Sequence, residues 1–213
     1  MQRYDESASR KAEFGRIPPP PATVRKAGKD MPNSSIRPRT LKVAKMLLMA
    51  AIAVICAFIS FPILPIAPHM EYELSGIPIL IAGFVFGPVR GLVIGIAATL
   101  VKALVTMPPI WAHDLIMSVI AVGVLVFVSA AIYQQLKTSK ILLLALIVGG
   151  VCATAAMIPA NLIVTPLFLG IPVEVMQGML VPIIIPFNLL KMAINTVAVF
   201  LLYKWLSPFL LKW

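Results

Sequence analysis

The chain has 213 residues, 60% of them hydrophobic, with a mean hydropathy of +0.98 and a formal net charge of +10. An ordinary soluble domain is nearer ~45–50% apolar, so this composition excludes one and indicates a polytopic membrane protein. The charge would suggest nucleic acid until it is located: 11 of the 18 Lys and Arg residues precede Met46, with four acidic residues among them, so it marks a tail and no nucleic-acid partner is expected.

That tail, residues 1–40, carries Pro18-Pro19-Pro20-Pro21 and almost no aliphatic periodicity. It is expected to be disordered or partly polyproline II, a solvated extension that sets orientation. Residues 41–213 are expected to form the membrane domain. No secretory signal is visible, because the first apolar run begins at Leu41. A spanning helix needs about 20 mostly apolar residues, fewer when other helices surround it. Six segments are predicted: Leu41 to Phe61, Ile77 to Phe86, Val89 to Val105, Leu115 to Tyr133, Ile141 to Leu167 and Met179 to Leu206. Only Gly87-Pro88 separates the second from the third, and proline after glycine argues for a break there. Gly83, Gly87, Gly91 and Gly95 recur every four residues, the spacing of close helix packing.

Loop charges set an orientation. With a cytoplasmic tail, six crossings also return the C-terminus to the cytoplasm, and Arg90, Lys137, Lys140, Lys204 and Lys212 all fall inside, as the positive-inside rule requires. Glu71, Glu73, Asp114 and Glu174 fall in the three outer connections.

The first outer connection runs from Phe61 to Pro78. It is too rich in proline to be helical and too apolar merely to dangle in water. Such a loop suits a cover over a cavity, with Met70 and Tyr72 offering apolar surface; the other reading is an interfacial loop anchored by Tyr72. In the sixth segment Asn188, Lys191 and Asn195 stand at i, i+3 and i+7, so all three point the same way. Lys191 is roughly 20 Å from either end of an unbroken helix at about 1.5 Å per residue, too far to snorkel easily. A lysine near mid-membrane costs about 2.5–3.5 kcal/mol on insertion scales. It is therefore expected to face a cavity or the bundle interior, as a ligand-binding cation or as a structural one satisfied by backbone carbonyls. Pro182 and Pro186 would unwind the start of this helix and bring Lys191 nearer an outward cavity.

Asn161, between Pro159 and Thr165-Pro166 in the fifth segment, either satisfies a carbonyl that proline frees or joins Asn188 and Lys191 around a planar, heteroatom-rich ligand. Lys102, near the outer end of the third segment, is expected to snorkel or pair locally. Cys56 and Cys152 are isolated in apolar segments and read as small core residues. His69 and His113 lack metal-ligand spacing, so no metal or other cofactor is expected. No phosphate-binding loop, dinucleotide fingerprint or nucleophile elbow is present, and the chain does not read as an enzyme.

These features together resemble the substrate-binding S-components of energy-coupling factor (ECF) transporters, of the riboflavin type, over roughly Leu41 to the end. The Pro-rich loop ending in Ile77-Pro78 is similar to the family's gating loop, and Gly83 to Gly91 to its Phe-Gly-Pro turn. Asn161, Thr165-Pro166 and Pro186-Phe187-Asn188-Leu189-Leu190-Lys191 are similar to its ligand-contacting positions. Ala53 and Ala57 match its alanine patch for the coupling subunit, a weak motif whose spacing Ala156 and Ala160 share. Glu73 and Gly76 depart from the aspartates usual in riboflavin-type loops.

The resemblance implies an all-α membrane protein: a six-helix bundle of S-component type that captures a vitamin, riboflavin first, at the outer face of a bacterial or archaeal plasma membrane. The implied ligand contacts are Met70, Tyr72, Asn161, Asn188 and Lys191. The implied partners are a coupling transmembrane subunit and two ATPase subunits. Pantothenate, a thiamin precursor or a queuosine precursor stand as other cargo; a membrane scaffold or enzyme stands as another class.

Overall fold

The computed structural model describes residues 38–68, 70–107 and 109–210. The tail expected over residues 1–40 lies outside them but for its last three positions, as do His69, Lys212 and the side chain of Lys204. In chain order the elements are α1 (Pro38–Ala57), β1 (Ser60–Pro62), β2 (Glu71–Glu73), α2 (Gly76–Phe86), α3 (Pro88–Thr106), α4 (Trp111–Leu136), α5 (Ser139–Leu169) and α6 (Val173–Met179). A π-helical segment, Leu180–Ile184, joins α6 to α7 (Ile185–Leu210).

Five helical runs are long and apolar enough to cross a bilayer: Arg39–Ala57, Pro88–Thr106, Trp111–Leu136, Ser139–Leu169 and Val173–Tyr203. The sixth, α2, has 11 residues, or about 16 Å against a hydrocarbon core of about 30 Å. It is sustained by its neighbours: Ile79, Leu80 and Ala82 are fully buried in the main core with Val126, Leu142 and Leu146. The chain before it forms a short hairpin. Ser60–Pro62 and Glu71–Glu73 pair antiparallel, with Phe61 opposite Tyr72, and the two rings meet edge-on at 5.5 Å. The bundle encloses the inner side of this hairpin, where Tyr72 is buried to 1% exposure.

The structure differs from the sequence reading in the first helix and in the last helical run. The first helix stops at Ala57, and its expected last turn becomes β1 because Pro62 cannot continue a helix. The last run starts at Val173 rather than Met179, its polar Glu174 and Gln177 having masked the helix. Pro182 and Pro186 do not unwind that run. The missing N–H groups are absorbed by widening one turn to π geometry.

The break at Gly87 is as expected. Its φ of 100° belongs to glycine, and Pro88 opens α3 at a position where its missing N–H costs nothing. The chain thereby folds α3 back on α2 at backbone contact: a Cβ on Gly91 would lie 2.5 Å from the Gly83 Cα. At the same end Gln134 Nε2 donates to the Phe84 carbonyl at 2.7 Å, and the hydroxyls of Tyr133 and Tyr203 share a hydrogen bond of 2.6 Å.

The alanine pair on α1 faces inward. Ala53 is 0% and Ala57 1% exposed, so both side chains are covered by this chain itself. The face that α1 leaves open carries Leu47, Leu48, Ile52 and Ile55.

Candidate functional site

A narrow cleft lies between β2 and the start of α2 on one side and α4, α5 and α7 on the other. Glu73, Ser75 and Gly76 line it from the first side; Ser118, Gly150, Thr154, Asn188, Lys191, Met192 and Asn195 are among those facing them. Its volume is about 30 Å³, room for a water molecule or two.

The polar stripe of α7 is one wall of this cleft. Asn188 is buried, and its Nδ2 donates to the Ile184 carbonyl at 2.8 Å, one turn back on its own helix, so its Oδ1 takes no bond among the described residues. Lys191 has no hydrogen-bond or ion-pair partner among the described residues, although the charges of Glu73 and Lys102 are close enough to act on it. Asn195 is 1% exposed. Its Oδ1 accepts a hydrogen bond from the Tyr72 hydroxyl at 2.8 Å, while its Nδ2 is buried without a partner among the described residues.

Glu73 carries the opposite wall. Its carboxylate takes an ion pair from Lys102 Nζ at 2.5 Å, and both side chains are nearly four-fifths buried. Lys102 thus pairs locally, as its position suggested, and fastens β2 to α3. Ser75 Oγ donates weakly to the other Glu73 oxygen at 3.5 Å. At the other end of the hairpin, Ser60 Oγ donates to Glu71.

The structure therefore brings Asn188 and Lys191 to the cleft. Tyr72 is one hydrogen bond behind it, through Asn195, with its ring against Phe61. Burial pushes the Tyr72 hydroxyl up to about 12, so it remains a donor at any physiological pH. Met70, half-buried on the approach to β2, and Asn161, on α5, are not among the residues lining the cleft. Asn161 Nδ2 donates at 2.8 Å to the Met157 carbonyl, the acceptor its own N–H reaches in an α-helix, rather than to the Ala155 carbonyl that Pro159 frees.

Sequence reasoning missed the apolar side of the cleft. Met192 projects from α7 into a notch at Gly150 on α5, so closely that a Cβ on Gly150 would overlap the Met192 side chain. Thr154 turns its hydroxyl back to the Gly150 carbonyl at 2.9 Å, which presents its methyl rather than its oxygen. His113, elsewhere, bridges α4 to α5: Nε2 lies 3.1 Å from Thr165 Oγ1 and Nδ1 3.0 Å from Asp114. No group of three or more metal-ligating side chains occurs among the described residues.

A bundle of apolar helices whose cleft is lined by two buried amides and by a lysine unpaired among the described residues is that of a polytopic membrane protein with a polar interior cleft. The chain belongs to the family described as the substrate-specific component of ECF transporters, which matches residues 41–203. It is a multi-pass protein of the cell membrane.

Among curated proteins it is similar to the riboflavin transporter RibU of Staphylococcus aureus (strain TCH60), 29% identical over 170 residues covering 76% of this chain and 88% of that protein. It is also similar to RibU of Streptococcus thermophilus (strain ATCC BAA-250 / LMG 18311), 29% identical over 181 residues, 81% of this chain and 86% of that one. Among solved structures it resembles the S component of a bacterial ECF transporter, with a TM-score of 0.71 and 28% identity across 81% of this chain and 98% of the other.

Proposed function

We propose that this chain captures riboflavin at the outer face of the membrane and hands it inward within an ECF importer. The observation that carries the reading is Lys191: a lysine inside a membrane helix, unpaired among the described residues, lining a cleft beside the buried amide of Asn188. An intramembrane cation held without a partner is expensive, and a ligand acceptor seated against it would offset that cost. The names of the two curated relatives supply the flavin.

Flavin recognition needs donors along one edge of a flat ring and apolar contact on its faces. Lys191 and the Asn188 amide supply the polar edge, and Met192, Val122 and Leu125 the apolar contact. Asn161, Met70 and Tyr72 join as the cleft opens. A cleft of about 30 Å³ must widen to hold a ligand of vitamin size, since small-molecule pockets are about 300–1,000 Å³. The parts able to give are the Met192 thioether and the hairpin, rather than the glycine-packed α2–α3 corner. ATP hydrolysis and the inward step fall to a coupling transmembrane subunit and a pair of ATPase subunits, so this chain's part is binding and release rather than catalysis.

Titration of the purified protein into riboflavin tests this by flavin fluorescence. Saturable quenching with one flavin per chain is expected, and no saturable quenching at micromolar riboflavin would overturn the choice of ligand.

A further inference from the structure

Asn195 is a buried polar group at the cleft that the reading above does not use. It is 1% exposed, sits one helical turn beyond Lys191 on the same face of α7, and lines the cleft. One end of its amide is committed, because Oδ1 accepts the Tyr72 hydroxyl at 2.8 Å. The other end, Nδ2, has no partner among the described residues and is sealed from solvent. The position is also tightly gauged: a Cβ on Gly76 would stand 3.1 Å from Asn195 Oδ1, so the amide is braced against the first turn of α2. A buried donor left unpaired is unfavourable, and in a native core such groups call for an explanation. An apolar side chain of the same size, such as leucine, would fill this position without the penalty.

We propose that Asn195 is a further ligand-recognition residue, whose Nδ2 donates to a hydrogen-bond acceptor of the bound ligand while its Oδ1 holds the hairpin down through Tyr72. This deepens the function proposed above and rests on it. The ligand class it selects is a molecule with a carbonyl, ring-nitrogen or hydroxyl acceptor reaching this part of the cleft, since a second donor there would face Nδ2 donor to donor. The single amide then links two events. An acceptor that fixes the Asn195 plane also fixes the oxygen to which Tyr72 is tied, so occupancy and hairpin closure reinforce each other across β2.

The alternative is that Asn195 serves Tyr72 alone, and a cycle of variants separates the two. Riboflavin affinity is measured by fluorescence quenching for wild type, Tyr72→Phe, Asn195→Leu and the double variant, with thermal unfolding in detergent as the check on folding. Tyr72→Phe removes the hydroxyl that ties the hairpin to Asn195, together with any contact that hydroxyl makes to the ligand, so it is the background in which Asn195 is judged. If Asn195 also touches the ligand, Asn195→Leu weakens riboflavin binding by about tenfold or more even in the Tyr72→Phe background. If it serves Tyr72 alone, the double variant binds as Tyr72→Phe does, and the proposal is overturned. Should Asn195→Leu fail to fold, Asn195→Ala takes its place in the same cycle. Lumiflavin, which lacks the ribityl hydroxyls, locates the contact: a loss that persists with it places the acceptor on the ring, and a loss that disappears places it on the side chain. Failure of wild type to bind riboflavin would instead strike the choice of ligand, a result the cycle keeps apart from the role of Asn195.

Discussion

Glycine shapes two seams of this bundle in different ways. At the α2–α3 corner, Gly91 lies on the backbone of Gly83, and a Cβ there would stand 2.5 Å from a Cα atom that has nowhere to go. At the α5–α7 seam, the atoms nearest a Cβ on Gly150 all belong to the Met192 side chain, an unbranched thioether with several rotamers. The first seam is closed by main chain and is rigid. The second is closed by a flexible side chain beside the polar stripe. The same contrast separates the two intramembrane lysines: Lys102 is fixed to Glu73, whereas Lys191 faces the cleft unpaired among the described residues.

The largest effect expected from this contrast comes from placing the same methyl group in both seams. Gly91→Ala should cost about 3 kcal/mol, the upper part of the range for overpacked cores, and show as lost monodisperse protein or a much lowered Tm. Gly150→Ala should cost no more than about 1 kcal/mol, with Met192→Ala in the same chain restoring what is lost. Equal costs would erase the distinction between the seams.

Next in size is the fastening of the hairpin. Lys102→Met leaves the Glu73 carboxylate partly buried and unpaired, at about 1–3 kcal/mol, and should lower Tm and open the segment between β1 and β2 to proteolysis. Protection unchanged from wild type would show that the ion pair does not hold the hairpin.

A smaller effect follows from Tyr72. Its hydroxyl titrates near 12 when folded and near ~10 when unfolded. The unfolded chain therefore loses this proton first, and the stability it contributes is intact below about pH 10 and falls between there and about pH 12. Tyr72→Phe should lack that component, so the Tm difference between the two proteins should shrink with rising pH only in this window.

Much of this was legible in the sequence, for physical reasons that differ by element. The long helices follow from apolar runs that only a bilayer explains, and the α2–α3 break from one Gly-Pro pair. The wall of the cleft showed as Asn188, Lys191 and Asn195 because polar groups in a membrane helix are costly and fall on one face. The hairpin was hidden because its strands are three residues each and Pro62 lies in one of them. The early start of the last helical run was hidden by Glu174 and Gln177. The Gly150–Met192 notch and the Tyr72–Asn195 bond join residues far apart in the chain, so no spacing rule reveals them. The orientation of Ala53 and Ala57 was equally illegible, because a small-residue pair suits a partner's helix and the chain's own bundle alike.

The central claim is that Lys191 is kept for the ligand rather than for the fold. Lys191→Met, which preserves length and removes the charge, tests it most directly when Tm and riboflavin affinity are measured on the same preparation. The account predicts a Tm equal to or above that of wild type, with riboflavin binding weakened by about 10- to 100-fold, the equivalent of one lost charged hydrogen bond. Wild-type affinity in a normally folded Lys191→Met protein would contradict it.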